Sequence, residues 1–172
     1  MTVWTVGHGA RTAEDFVDLL RSAGVLTLVD VRRFPGSRRH PQFNGAALAA
    51  TLEDAGVAYR HEVELGGRRS GEPGEEQFAC IDTPAFRSYA ARMSTTPWQE
   101  AFDRSLGKPA PCFMCAETLW WRCHRRLIAD LLVARGHAVL HLIRPGETRQ
   151  HQLGFDGEIR DGHLYLCGVH VA

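Results

Sequence analysis

Two short runs hold most of the residues that could do chemistry, Cys115-Ala116-Glu117 and, after five intervening residues, Cys123-His124-Arg125. A thiol next to an imidazole, a guanidinium or a helix N-terminus ionises readily and becomes a nucleophile, a redox centre or a metal ligand. Glu117 adds an acid, base or nucleophile. Cys115 and Glu117 are two apart and share one side of a strand if the strand persists, and Cys123, His124 and Arg125 are placed at a helix start, where free N–H groups favour anions. The competing account is packing: cysteine is among the most buried residues, and for Cys80, Cys112 and Cys167 packing is the preferred reading.

Further polar residues join these. His8 lies between Gly7 and Gly9, where a tight backbone lets a ligand approach an imidazole; the alternative role is a helix cap. Asp30 with Arg32 is either a site carboxylate held by a guanidinium or a plain ion pair. Arg32, Arg33, Arg38, Arg39 and His40 form a basic stretch around Phe34-Pro35-Gly36-Ser37, and Arg68, Arg69, Arg122, Arg125 and Arg126 extend it. Nine arginines expected on one edge of a neutral chain suggest an anionic small molecule, a nucleotide or a nucleic-acid strand, against the simpler account of solvated surface charge.

The elements that must position these residues follow from local signals. Residues 3 to 7 read as a buried strand, and Thr12 with Asp15 as the start of a helix facing inward through Phe16, Leu19, Leu20 and Ala23, with Gly24 at its left-handed end. The apolar run 25–31 predicts a strand covered on both faces. Asn44 is placed to cap a second helix bearing Leu48 and Leu52, and 57–65 reads as a third strand ending at Gly66-Gly67. Residues 70–77 read as a loop. Thr83-Pro84 and Thr96-Pro97 each open a helix with proline first, 111–116 is a fourth strand, a helix bears Leu127, Ile128, Leu131 and Leu132, and 138–143 is a fifth strand carrying His141. The tail is poorly patterned, apart from a hairpin turn at Asp161-Gly162.

Strands alternating with helices predict an α/β fold: a three-layer Rossmann-like open sheet, mainly parallel, with about five core strands and helices on both faces. Ligands in such folds bind outside the carboxyl ends of the strands, where His8, Asp30, Gly66, Gly67, Cys115 and Glu117 all fall, with His151 beyond the fifth strand. The 172 residues, 44% of them hydrophobic, suit one domain over 1–172. Twenty Lys and Arg balance twenty Asp and Glu, so no net field marks a nucleic-acid coat or a membrane-surface protein. No apolar run is long enough to span a membrane, the start reads as a strand and not as a signal peptide, and five cysteines outside loop staples lead us to expect reduced thiols in a cytoplasmic protein.

These motifs together resemble the family known as domain of unknown function 488. The resemblance runs from Thr5-Val6-Gly7-His8 through Asp30-Val31-Arg32, Pro35, Ser37, Phe43 and Leu65-Gly66-Gly67 to Met114-Cys115-Ala116-Glu117 and Cys123-His124-Arg125, then His141 and His151. It implies an α/β fold with a shared polar site and supplies no reaction, substrate or cofactor. Gly9 stands where similar sequences commonly have serine.

The leading functional expectation is an enzyme, hydrolase-like or cleaving a glycosidic bond, acting on an anionic nucleotide or nucleic-acid substrate. Glu117 and Asp30 serve as paired carboxylates, with His8, Cys115 and Cys123 as further catalytic candidates. Arg32, Ser37, Arg38, Gly66, Gly67, His124, Arg125, His141 and His151 are the candidate substrate contacts. A second expectation is a zinc or iron site made by Cys115, Cys123 and His124, although adjacent Cys123 and His124 diverge on a helix. A third is thiol or redox chemistry in which Cys123 reacts and Cys115 resolves, and a fourth is a noncatalytic nucleic-acid binder.

Overall fold

The computed structural model describes residues 1–154 and 157–172. Six strands form the main sheet: β1 (Thr2–Gly7), β2 (Thr27–Asp30), β3 (Ala58–His61), β4 (Pro111–Cys115), β5 (Ala138–Arg144) and β6 (Glu147–Gln150). Their order is β3-β2-β4-β1-β5-β6, parallel except for the antiparallel β5–β6 hairpin. Five helices flank it: α1 (Ala13–Ser22), α2 (Gly45–Asp54), α3 (Pro84–Met93), α4 (Thr96–Leu106) and α5 (Arg125–Ala134). The result is the Rossmann-like three-layer arrangement expected, with one more strand in the sheet.

Alternation along the central strands divides the interior in two. Cys112 and Met114 of β4 pack with Val6, Leu28, Phe16, Leu20 and Leu48 under α1 and α2. Phe113 and Cys115 point the other way, into the core of Val3, Val29, Trp98, Leu127, Leu131 and Val139 under α3, α4 and α5. Each central strand buries both faces, which is why these strands are continuous apolar runs.

Most local signals act as anticipated. The Thr12 hydroxyl accepts the Asp15 N–H at 3.0 Å and caps α1. Gly24, at φ 71°, takes the left-handed position after that helix. Asn44 precedes α2 without capping it, because its Oδ1 instead accepts the Ser37 N–H at 2.6 Å. Pro84 opens α3, whereas α4 begins at Thr96 and leaves Pro97 second.

The expected strand over 57–65 is shorter. Its only neighbour, β2, stops at Asp30 opposite His61, so after the Glu62 N–H reaches the Asp30 carbonyl the chain has no partner and winds into a 3-10 turn at Val63–Leu65. The tail, poorly patterned in sequence, supplies the polar edge strand β6 and a three-stranded sheet of β7 (Gly157–Arg160), β8 (His163–Leu166) and β9 (Val169–His170). Asp161 and Gly162, both at positive φ, form the two-residue turn between β7 and β8.

The expectation of reduced thiols fails for two cysteines. Cys80 and Cys167 are joined by a disulfide across 87 residues, linking the segment before α3 to the turn after β8. Neither spacing nor composition reveals a pairing that only the docking of the tail creates. Cys112, Cys115 and Cys123 are free and buried. Among the described residues no helix is long and apolar enough to cross a membrane.

Candidate active site

A crevice arises where adjacent strands send their chains to opposite faces of a sheet. Here β4 leads to α5 on one face, while its neighbours β1 and β2 lead to α1 and α2 on the other. Between them lies a cleft of about 770 Å³, lined by residues following every parallel strand from β1 to β4 and by the start of α3. Beyond the strands the backbones stay paired, with the His8 N–H on the Cys115 carbonyl (2.9 Å) and the Gly9 N–H on that of Ala116 (3.0 Å). Gly7 permits this approach, since a Cβ there would lie 2.7 Å from the Thr118 Cα and collide with the Glu117 carbonyl.

His8, Arg32, Ser37, Gly67, Cys115, Glu117, Cys123 and His124 all line the cleft as expected. Five of the nine arginines of the predicted basic edge also reach it: Arg32, Arg33, Arg39, Arg68 and Arg122. Arg68 holds a left-handed backbone (φ 57°), a conformation that costs energy in a non-glycine residue and gathers at functional sites. Glu117 is the one carboxylate among the lining residues. It lies past the end of β4 and not on it, and its Oε1 accepts the Leu119 N–H at 3.0 Å.

Six expected contacts lie elsewhere. Asp30 is fully buried behind Arg32, which donates to it from Nε (2.8 Å) and NH2 (2.6 Å), while the Tyr59 hydroxyl donates at 2.8 Å. The carboxylate is fully engaged, so it does not pair with Glu117 across the cleft. Arg38 is exposed and its neighbour Arg39 takes the lining position. Gly66 packs on Arg33, where a Cβ would lie 2.8 Å from Cα. Arg125, His141 and His151 are buried beneath the cleft. Of the adjacent Trp120 and Trp121, Trp120 stacks on His141 at 4.3 Å, and neither lines the cleft.

His8 donates Nδ1–H to the Gly9 carbonyl (2.9 Å), leaving Nε2 to accept from Arg32 NH1 (3.3 Å), and its ring stacks on Phe43 at 4.2 Å. Burial above all, with the Arg32 charge, lowers its pKa to about 4. It is therefore a neutral acceptor at ordinary pH.

The sulfurs form the floor. Cys123 stands just before His124, the residue at the N-cap position of α5, with its Sγ 3.5 Å from His124 Nδ1. His124 Nε2–H donates to the Val31 carbonyl at 3.1 Å, so in the neutral ring Nδ1 faces the thiol as an acceptor. Burial lowers the His124 pKa. Burial also opposes the Cys123 thiolate, but hydrogen bonding from the Cys115 thiol, the Arg125 charge and the Arg125 N–H outweigh it and bring Cys123 to about 7. Cys115 is pushed well above its ordinary value by burial and by donating to Cys123. Cys123 is thus the sulfur that loses its proton first, and Cys115, whose thiol also reaches the Glu117 carbonyl at 3.7 Å, the one that keeps it.

Arg125 holds this pair. Its side chain is 1% exposed, and it donates Nε–H to Cys115 Sγ (2.9 Å), NH1–H to Thr5 Oγ1 (3.0 Å) and NH2–H to the Glu117 carbonyl. A guanidinium therefore occupies the place where the zinc or iron expectation puts a cation, and among the described residues no group of three or more His, Cys, Asp and Glu side chains is arranged to hold a metal.

The family model "Domain of unknown function DUF488" matches residues 12–132. The chain belongs to the DUF488 family. That span takes in the arginine-rich loops, Glu117 and Cys123-His124-Arg125, while β1 with His8, and His141 and His151, lie outside it. No curated protein and no solved structure matches the chain. Sequence reasoning missed two polar residues that the DUF488 fold buries beside the site, Thr5 as a site residue and Asp130 altogether. Asp130 had a signal, a carboxylate interrupting the otherwise apolar run Leu127-Ile128-Ala129-Asp130-Leu131-Leu132.

Proposed function

We propose that this DUF488 protein is an enzyme acting on an anionic substrate of nucleotide or nucleic-acid type, with the Cys123 thiolate as nucleophile and Glu117 as proton carrier. The observation that carries this reading is the environment of Arg125. Its bonds to the Cys115 thiol, the Thr5 hydroxyl and the Glu117 carbonyl all end on neutral groups, and the partner beside it that can carry negative charge is Cys123, which both hydrogen-bonds and attracts it. A buried guanidinium requires a compensating anion, which the Cys123 thiolate supplies at the cleft floor. This favours thiolate chemistry over the paired-carboxylate reading, which loses Asp30.

The substrate class is argued from the walls. Five arginines against one carboxylate favour phosphate or another anion. At the rim Phe34 is 61% exposed with the Arg33 guanidinium 5.2 Å from its ring centre, a pairing suited to stacking a nucleobase. In the proposed hydrolysis Cys123 attacks the electrophilic centre and forms a covalent bond to sulfur as the leaving group departs with a proton from Glu117. Water, deprotonated by Glu117, then releases the product and regenerates the thiolate. His124 Nδ1 is positioned to hold the Cys123 proton when the thiol is neutral.

The test is site-mapped alkylation by iodoacetamide as a function of pH, with and without a nucleoside monophosphate. Cys123 should react with a midpoint near 7 and be protected by the nucleotide. Cys123→Ser and Glu117→Gln should each abolish turnover in a screen of phosphate esters and nucleotides while keeping nucleotide binding. A midpoint near that of a free thiol with no protection, or turnover that survives Cys123→Ser, would remove the nucleophile.

A further inference from the structure

A second polar cluster lies outside the cleft, under the α5 face of the sheet. Asp130 Oδ1 accepts from His151 Nε2 (2.8 Å) and from the Gly154 N–H (3.0 Å). His151 Nδ1 meets His141 Nε2 at 2.9 Å, His141 Nδ1 meets Thr5 Oγ1 at 2.7 Å, and Thr5 Oγ1 meets Arg125 NH1 at 3.0 Å. All five side chains are at most 7% exposed. Trp120 closes the row by stacking on His141.

We infer that Asp130, His151, His141 and Thr5 form a positioning relay that fixes the Arg125 guanidinium against the cleft sulfurs. For one proton on each ring, only one assignment pairs every donor with an acceptor. The Asp130 carboxylate requires N–H at His151 Nε2, which leaves Nδ1 accepting. His141 must then donate from Nε2 and accept at Nδ1, so the Thr5 hydroxyl gives its proton to His141 and turns its lone pairs to Arg125. Burial above all lowers the His141 pKa to about 3 and keeps that ring neutral. The donors run in one direction, from a buried cation at the start of α5 to a buried anion five residues along the same helix. This is how a carboxylate fixes a histidine tautomer at one remove from a reacting group, here lengthened by a second histidine and a hydroxyl. None of the four relay residues lines the cleft.

The relay rests on the reading of Cys123 as the reactive thiolate, whose charged and titratable neighbours are Cys115, His124, Arg125 and Tyr89. Its test is the midpoint pH of Cys123 alkylation, read without substrate. Thr5→Val keeps the shape of a strand residue and removes the acceptor for Arg125, and His141→Phe keeps a ring on Trp120 and removes both hydrogen bonds. Each should raise the midpoint by about one pH unit, a tenfold loss of thiolate below it, while Thr5→Ser keeps the wild-type value. An unchanged midpoint in either variant, with circular dichroism showing it folded, overturns the relay and leaves the nucleophile standing. A wild-type midpoint near that of a free thiol removes the nucleophile and the relay with it.

Discussion

Arg32 turns its guanidinium inward onto Asp30, with Nε 2.8 Å from Oδ1 and NH2 2.6 Å from Oδ2, and so closes the carboxylate off from the cleft that Arg32 itself helps to line. The pair works as a strut: the backbone N–H of Arg32 also binds Oδ1 at 3.0 Å, turning the chain sharply after β2. Asp30→Asn leaves a buried guanidinium uncompensated, which typically costs about 3–5 kcal/mol. Urea denaturation of the variant should show a lowered midpoint in proportion. A variant as stable as wild type yet inactive would instead return Asp30 to the chemistry.

Buried histidines make stability depend on acidity. His8 and His141 have folded-state pKa values of about 4 and about 3, lowered chiefly by burial, whereas an unfolded chain titrates near 6.5. Between those values the unfolded state binds protons that the folded state refuses, so stability is complete above about pH 6.5 and falls as the pH drops toward 4 and then 3. At pH 5 the loss is about 2 kcal/mol for each ring. Denaturation midpoints at pH 7 and pH 5 should differ by that much in sum, and His141→Phe should reduce the difference. A flat profile over this window contradicts the burial of both rings as neutral groups.

Gly67 is the spacer for His124. A Cβ at position 67 would overlap the His124 ring, 2.8 Å from Cγ and closer still to Nδ1. Gly67→Ala should therefore push the imidazole off the Cys123 sulfur and slow Cys123 alkylation about tenfold near neutral pH, while costing about 1–3 kcal/mol of stability from overpacking. Mass spectrometry of the alkylated protein reads the first effect and denaturation the second. Alkylation at the wild-type rate would show that His124 has no hold on the thiol.

What was legible in the sequence was local. Apolar runs and caps located β1, β2, β4, β5 and all five helices, and the rule for strand ends placed His8, Glu117, Cys115 and Cys123 at one cleft. The direction of Asp30 was not legible, because β2 buries both faces and periodicity assigns no solvent side there. His141 and His151 were singled out for their chemistry and then put in the cleft, since nothing local tells a histidine that touches a ligand from one that supports a neighbour. The Cys80–Cys167 bond and the Asp130 relay depend on a tail whose short polar strands carry almost no hydrophobic pattern.

The sheet order also sets a timetable for assembly. β4 is threaded between β1 and β2, which never pair with each other. A growing chain that has emerged only as far as residue 110 therefore has the first two strands with an unfilled slot between them. Both walls of the slot stay apolar and open to misassociation until the segment from Pro111 to Cys115 slides in. Ribosome-bound intermediates shorter than this should need a chaperone, and reactivity at the thiols should arise in a single late step instead of growing with chain length.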